Sequence, residues 1–174
     1  SGDSPDGTTT TDNSQDGADP DPDTNDDPTD NEDPTPINII EDPVIGIAKS
    51  AGAATDNGDG TFTTAITLTV ENFGNVDLSN VQVSDDLTAT FSAPTTFSVT
   101  GLTSTDFTVD ATFDGNANQN LLTAVDSLAV GASGTITFDL TFDPNGVAGP
   151  FDNTAVASGD SPDGTTTTDN SQDG

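Results

Sequence analysis

Residues Asn57–Leu87 read NGDGTFTTAITLTVENFGNVDLSNVQVSDDL, and their pattern decides the fold. After the turn DNGDG (Asp56–Gly60), Phe62, Thr64, Ile66, Leu68 and Val70 occupy every second position, which places them on one face of an extended strand. The turn NFGN (Asn72–Asn75) ends that run, and Val81 and Val83 resume the same period with Asp85 in their parity. Working outward, Ile45, Ile47 and Lys49 share a face of an earlier strand. Later strands are predicted through Phe97 and Val99, through Phe107, Val109, Ala111 and Phe113, through Ile136, Phe138, Leu140 and Phe142, and from Phe151 to Ala157. The alternate positions are rich in Thr, which suits solvated strand faces, and no stretch has helical periodicity. The expectation is an all-β antiparallel sandwich with Greek-key topology, its core built from the nine Phe and the inward aliphatic residues.

The flanks differ in composition. Fourteen acidic residues fall among the first 42, and no large apolar residue occurs before Ile37. Residues 18–36, ADPDPDTNDDPTDNEDPTP, alternate Pro with Asp and read as extended, polyproline-like backbone that buries too little apolar area to fold unaided. The first seventeen residues, SGDSPDGTTTTDNSQDG, recur letter for letter as residues 158–174, a spacing of 157 positions. Identity over such a period points to tandem domains, each with its own core. The expected layout is the end of a preceding repeat (1–17), an acidic linker (18–42), the sandwich (43–157), and a final hairpin leading into the next junction (158–174).

With one Lys or Arg against 31 Asp and Glu, the formal charge is -30, which repels nucleic acid and anionic membrane and attracts cations. Cys, His, Trp, Tyr and Met are all absent, so zinc and haem ligation, disulfides, thiol nucleophiles and Ser-His-Asp catalysis lack their parts. No enzymatic turnover is expected. No apolar run is long enough to span a bilayer, so membrane insertion is not expected of these residues.

Residues 57–87, with LLTAVDSLAVGASGTITFDLTF and FDNTAVASG, resemble the bacterial immunoglobulin-like "conserved repeat domain", domain of unknown function number eleven. The hairpin GDGT, the N-x-G-N turn, the V-x-V-S-D strand and the closing N-T-A strand fall in that family's order over about residues 43–157. The resemblance implies an Ig-like sandwich strung in tandem on large secreted or surface-anchored bacterial proteins, with a structural or adhesive role.

Two constellations carry chemistry. In the acidic linker, Asp12, Ser14 and Asp16 before Gly17 reproduce the opening of a calcium loop, D-x-S-x-D-G, in which alternate side chains converge on one ion. Asp19, Asp21 and Asp23 continue in period two, as in thrombospondin-like and dockerin-like loops, and Asp26, Asp27, Asp30, Glu32 and Asp33 supply further oxygens. Asp169, Ser171 and Asp173 repeat the half-site at the other end. Calcium is the expected ion, acting to stiffen the junction; the alternative is a solvated acidic spacer. DNGDG and the loop DGNANQN (Asp114–Asn120) offer oxygens too, but turn formation explains both. Asp85 beside Asp86 suggests acid and base work on a glycoside, but no aromatic platform accompanies them.

The second constellation is Lys49, the one cation of the chain, inward by parity, together with Asp85 and with Asn153, which shares the parity of Phe151, Ala155 and Ala157. A Lys, an Asn and a carboxylic acid in a dry core are the components of an intramolecular isopeptide bond. The alternative is an ion pair of Lys49 with Asp85 or Asp86 at the sandwich rim, with Asn153 bonded to a turn. The leading expectation is a structural module of a secreted or cell-surface filament or giant adhesin, whose partners are identical repeats head-to-tail and, beyond them, other fibres or surface ligands. Alternatives are an adhesive module that recognises a glycan or protein through its loops, and a subunit that assembles by strand exchange through TTTTDNS.

Overall fold

The computed structural model describes residues 1–173. It divides into two compact units, Ser1–Ile40 and a larger one that begins at Glu41.

In the first unit, β1 (Gly2–Asp3) and β2 (Thr9–Thr10) form a hairpin, and a single 3-10 turn spans Pro28–Asp30, capped by the Asp27 carboxylate on the Thr29 N–H. The Pro/Asp stretch does not run on as the extended spacer its composition predicts. The Asp16 N–H donates to the Asp33 carbonyl at 2.8 Å and the Gln15 Oε1 accepts from the Asp33 N–H at 2.9 Å, so residues 16–33 close into a loop. Nearly every side chain in this unit is exposed, which leaves hydrogen bonds rather than a core to hold it.

The second unit is the expected all-β sandwich. One sheet joins β3 (Ile45–Ala51), β5 (Phe62–Asn72), β8 (Ser133–Asp143) and β7 (Thr96–Ser104) as antiparallel neighbours, with β4 (Thr55–Asp56) on β5 and β11 (Gln172–Asp173) parallel to β3. The other is the antiparallel triplet β6 (Ser79–Asp85), β9 (Ala155–Asp160) and β10 (Thr166–Asn170). Register follows the hydrophobic period: Lys49 faces Leu68 across β3 and β5, Leu68 faces Ile136, and Ile66 faces Phe138. Ile66, Leu68, Ile136 and Phe138 meet Val81 and Val83 of β6 and Ala155 and Ala157 of β9 in one core.

Three expectations are corrected. Residues 107–113 form no strand beyond a bridge from Val109 to Leu122. Side chains take the backbone donors that a ladder would need: Asp126 accepts from the Thr108 N–H, and Asp110 from the Thr112 N–H. Phe107 and Phe113 still enter the core from this loop, and residues 119–122 bond along the free side of β6, covering that edge. Second, the sandwich does not end at residue 157, because β9 runs on to Asp160 and β10 and β11 return to β9 and β3. Third, Phe73 is 63% exposed rather than in the core. A four-residue helix, α1 (Leu87–Thr90), also follows β6; its brevity explains why no helical period announces it.

Two local devices fix the fold. Asn72, fully buried, donates to the Val76 and Leu128 carbonyls and accepts from the Gly74 N–H, which ties the NFGN turn to the far loop. Gly134 lies beneath the Phe107 ring, and a Cβ there would stand 2.4 Å from a ring carbon. Gly134→Ala is therefore expected to lower stability by about 1–3 kcal/mol through overpacking. Urea unfolding followed by circular dichroism, which a chain without Trp or Tyr requires, measures it.

Candidate functional site

The strand periods bring Lys49, Asp85 and Asn153 together. Lys49 closes the inward face of β3 after Ile45 and Ile47, and it is 7% exposed; Asp85 closes that of β6 after Val81 and Val83, and it is 1% exposed. The Lys49 Nζ bonds Asp85 Oδ2 directly. Asn153, half-buried ahead of β9, donates from Nδ2 to the same Oδ2 at 3.3 Å. One carboxylate oxygen thus gathers the amine and the carboxamide. The Lys49–Asp85 ion pair of the alternative is therefore formed, but buried instead of at the rim, and Asn153 reaches Asp85 instead of a turn backbone.

Asp86 does separate work, capping α1 by accepting from the Thr88 and Ala89 N–H groups at 3.0 and 3.3 Å. The helix in turn presents Thr90, whose Oγ1 lies 3.1 Å from Asn153 Oδ1 and 3.0 Å from the Asp152 carbonyl. Burial pushes the Asp85 carboxyl above its ordinary value and the Lys49 ammonium below its own, although the attraction between them opposes both. Asp85 Oδ1 is buried with no hydrogen-bond partner. A carbonyl oxygen of a neutral acid tolerates that isolation far better than a carboxylate does.

A cleft of about 590 Å³ opens on this cluster, lined on its apolar side by Phe91, Phe142 and Phe151. Those rings pack on one another at centroid distances of 5.2–5.6 Å, and Phe62 and Phe97 extend the cluster. The strand period places these Phe only as core. Their proximity to Lys49 was hidden because Phe91 follows a helix too short to leave a period.

The predicted calcium ligands are arranged otherwise. Among the described residues no three carboxylates gather closely enough to hold a metal ion. Asn25 Nδ2 bonds both Asp23 and Asp30, and Asn31 Nδ2 reaches the same pair, so these carboxylates are engaged by amide donors. Asp21 accepts from the Asn25 and Asp26 N–H groups, Asp19 from the Asp21 N–H, and Asp27 from the Thr29 N–H. Asp12, Ser14, Asp16, Asp26 and Asp33 are exposed and join no acidic group of that kind. At the other end the half-site belongs to the sandwich: Asp169 Oδ2 accepts from the Ile47 N–H at 2.9 Å, and buried Ser171 Oγ accepts from the Ala155 N–H at 2.9 Å. The side chain of Asp173, and Gly174, lie outside the described residues.

No family model and no curated protein matches the chain. A solved structure with a similar course is an inactive mutant of the GH20 exo-β-N-acetylglucosaminidase of Vibrio harveyi, at a TM-score of 0.37 and 13% identity. It is matched over 75% of this chain and 18% of its own, a likeness too slight to carry an argument about either fold or activity.

Removing one partner of the buried pair strands the other. Asp85→Leu and Lys49→Met are each expected to be less stable than the double variant, by about 2 kcal/mol, because each single leaves a buried polar group without its partner and the double leaves none. Thermal unfolding of the three variants reads this difference. For the acidic unit, calorimetric titration with calcium is expected to give diffuse uptake that fades as salt is raised, as for counterions around a polyanion. A saturating, stoichiometric step would instead reveal a built site.

Proposed function

We propose that this chain is a structural module of a tandem array on a secreted or surface-exposed bacterial protein, linked to identical copies head-to-tail rather than catalysing a reaction. The observation that carries this reading is the paired 17-residue segment. Its second copy, residues 158–174, supplies the end of β9, then β10 and β11, with Asp169 and Ser171 closing the sheet onto β3 and β9. Its first copy, residues 1–17, is exposed and forms a hairpin of two-residue strands, with Asn13, Gln15 and Asp16 bonded to Glu32 and Asp33 of its own unit. A segment built into both sheets in one place and left exposed in the other makes sense when the exposed copy closes the sandwich of the module before it.

On this reading residues 18–40 space successive sandwiches, and their charge keeps the array extended and apart from other polyanions. Calcium at that junction, with the stiffening it would bring, requires the Asn25 and Asn31 amides to give way so that the carboxylates regroup. The absence of His and Cys and the closed, side-chain-filled core agree with a load-bearing rather than a catalytic role.

The identical segments test the proposal directly. Ser171→Ala is expected to lower the stability of the chain by about 1–2 kcal/mol, since it strips the partner from a buried N–H, whereas Ser14→Ala changes nothing. In a chain lengthened by one upstream module, Ser14→Ala becomes as costly as Ser171→Ala. Persistent neutrality of Ser14 in that longer chain, measured by chemical unfolding, overturns the array reading.

A further inference from the structure

We propose that the folded sandwich joins the Lys49 Nζ to the Asn153 Cγ in an intramolecular amide bond, with Asp85 as the acid–base group. Lys49 lies in β3 and Asn153 just ahead of β9 of the other sheet, yet both contact one oxygen of Asp85. Holding an amine and a carboxamide around a common proton carrier turns a slow bimolecular reaction into a positioned unimolecular one.

The surroundings favour that chemistry over a plain ion pair. A buried pair without other support recovers its desolvation only with every lone pair satisfied, and Asp85 Oδ1 has no partner. A neutral amine and a protonated acid suit the site better, and burial moves both groups in that direction. Thr90 completes the arrangement. Its single hydroxyl proton cannot serve both the Asp152 carbonyl and Asn153 Oδ1, although its Oγ1 is placed against each. With the carboxamide turned over, Thr90 donates to Asp152 and accepts from Nδ2, and Oδ1 faces the Asp85 hydroxyl, which polarises it. The amide nitrogen and oxygen exchange places in that turn without moving any other atom.

The step then balances within the three side chains. The unprotonated Nζ attacks Cγ, the carbonyl electrons move to Oδ1 under the hydrogen bond from Asp85, and a tetrahedral adduct forms. Asp85 takes a proton from Nζ and passes one to Nδ2, the Cγ–Nδ2 bond breaks, and ammonia leaves through the cleft beside Phe91 and Phe151. One C–N bond replaces another, Asp85 returns to its starting state, and no oxidant, metal or co-substrate enters. Direct condensation of Lys49 with Asp85 itself is disfavoured, because a hydroxyl would have to leave and no second acid contacts Asp85 among the described residues.

The sequence supplies an unusually clear assay, since Lys49 is the one Lys or Arg of the chain. Trypsin acting on the urea-denatured chain cuts after a free Lys49 into residues 1–49 and 50–174, and does not cut when that amine is acylated. The wild-type chain is expected to be one ammonia lighter than its sequence and to stay whole under trypsin. Asn153→Ala and Asp85→Asn are expected to keep their full mass and to be cut in two. Both readouts on the wild type are made after denaturation and need no variant to fold. A wild-type chain of full mass that is cut at Lys49 overturns the proposal, as does a loss of water mapping to Lys49 and Asp85. A cross-link that persists in Asp85→Asn overturns the role given to the acid. None of these outcomes bears on whether the chain sits in an array, which the serine variants test separately.

Discussion

Taking the one cation of a strongly acidic chain out of water constrains everything packed around it. A lysine amine buried between two sheets requires a polar partner at a fixed depth, and Asp85 provides it only while β6 keeps its register. A slip of one residue in either strand would turn Lys49 or Asp85 toward solvent and leave the other stranded. The apolar core alone tolerates small shifts among Ile, Leu and Val; the polar cluster does not. It therefore selects one alignment of the two sheets, and it draws the start of β9 into place through Asn153.

The dense negative charge has a second use beyond repulsion. Among the described residues, an Asp is followed two residues later by a Thr whose backbone N–H it accepts in six places: Asp6–Thr8, Asp27–Thr29, Asp59–Thr61, Asp86–Thr88, Asp110–Thr112 and Asp163–Thr165. Each holds its carboxyl below the usual range through those bonds, led by the Thr or Ser hydroxyl beside it. The carboxylates are turn-formers, competing with the backbone for its own donors. Such turns weaken as pH falls through the lowered values, because the ionised form is the one that accepts.

That competition also explains which parts of the molecule were legible in the sequence. β5, β8, β3 and β6 were readable because large apolar residues recur every second position against Thr, and the inward parity of Lys49 and Asp85 came with them. The segment 107–113 carries the same period, but Asp110 and Asp126 capture its N–H groups, so the side chains reach the core from a loop. The closing strands β10 and β11 were misplaced in the opposite sense: TTTTDNSQ holds no large apolar residue, and it joins the sheets through backbone bonds, Asp169 and Ser171. Period-two Asp reads equally as cation ligands or as turn caps, and the Asn25 and Asn31 amides that bond Asp23 and Asp30 follow no pattern the sequence displays. Thr90 and the ring cluster around Phe91 left no pattern at all.

The parallel pairing of β11 with β3 has a mechanical meaning. Tension that enters ahead of Ile45 and leaves after Asp173 drags these adjacent strands in opposite directions along their common axis. Their hydrogen bonds, and the Asp169 bond to the Ile47 N–H beside them, are then sheared collectively instead of unzipped one after another. Under such a load the two ends of the domain would be clasped against each other along β3.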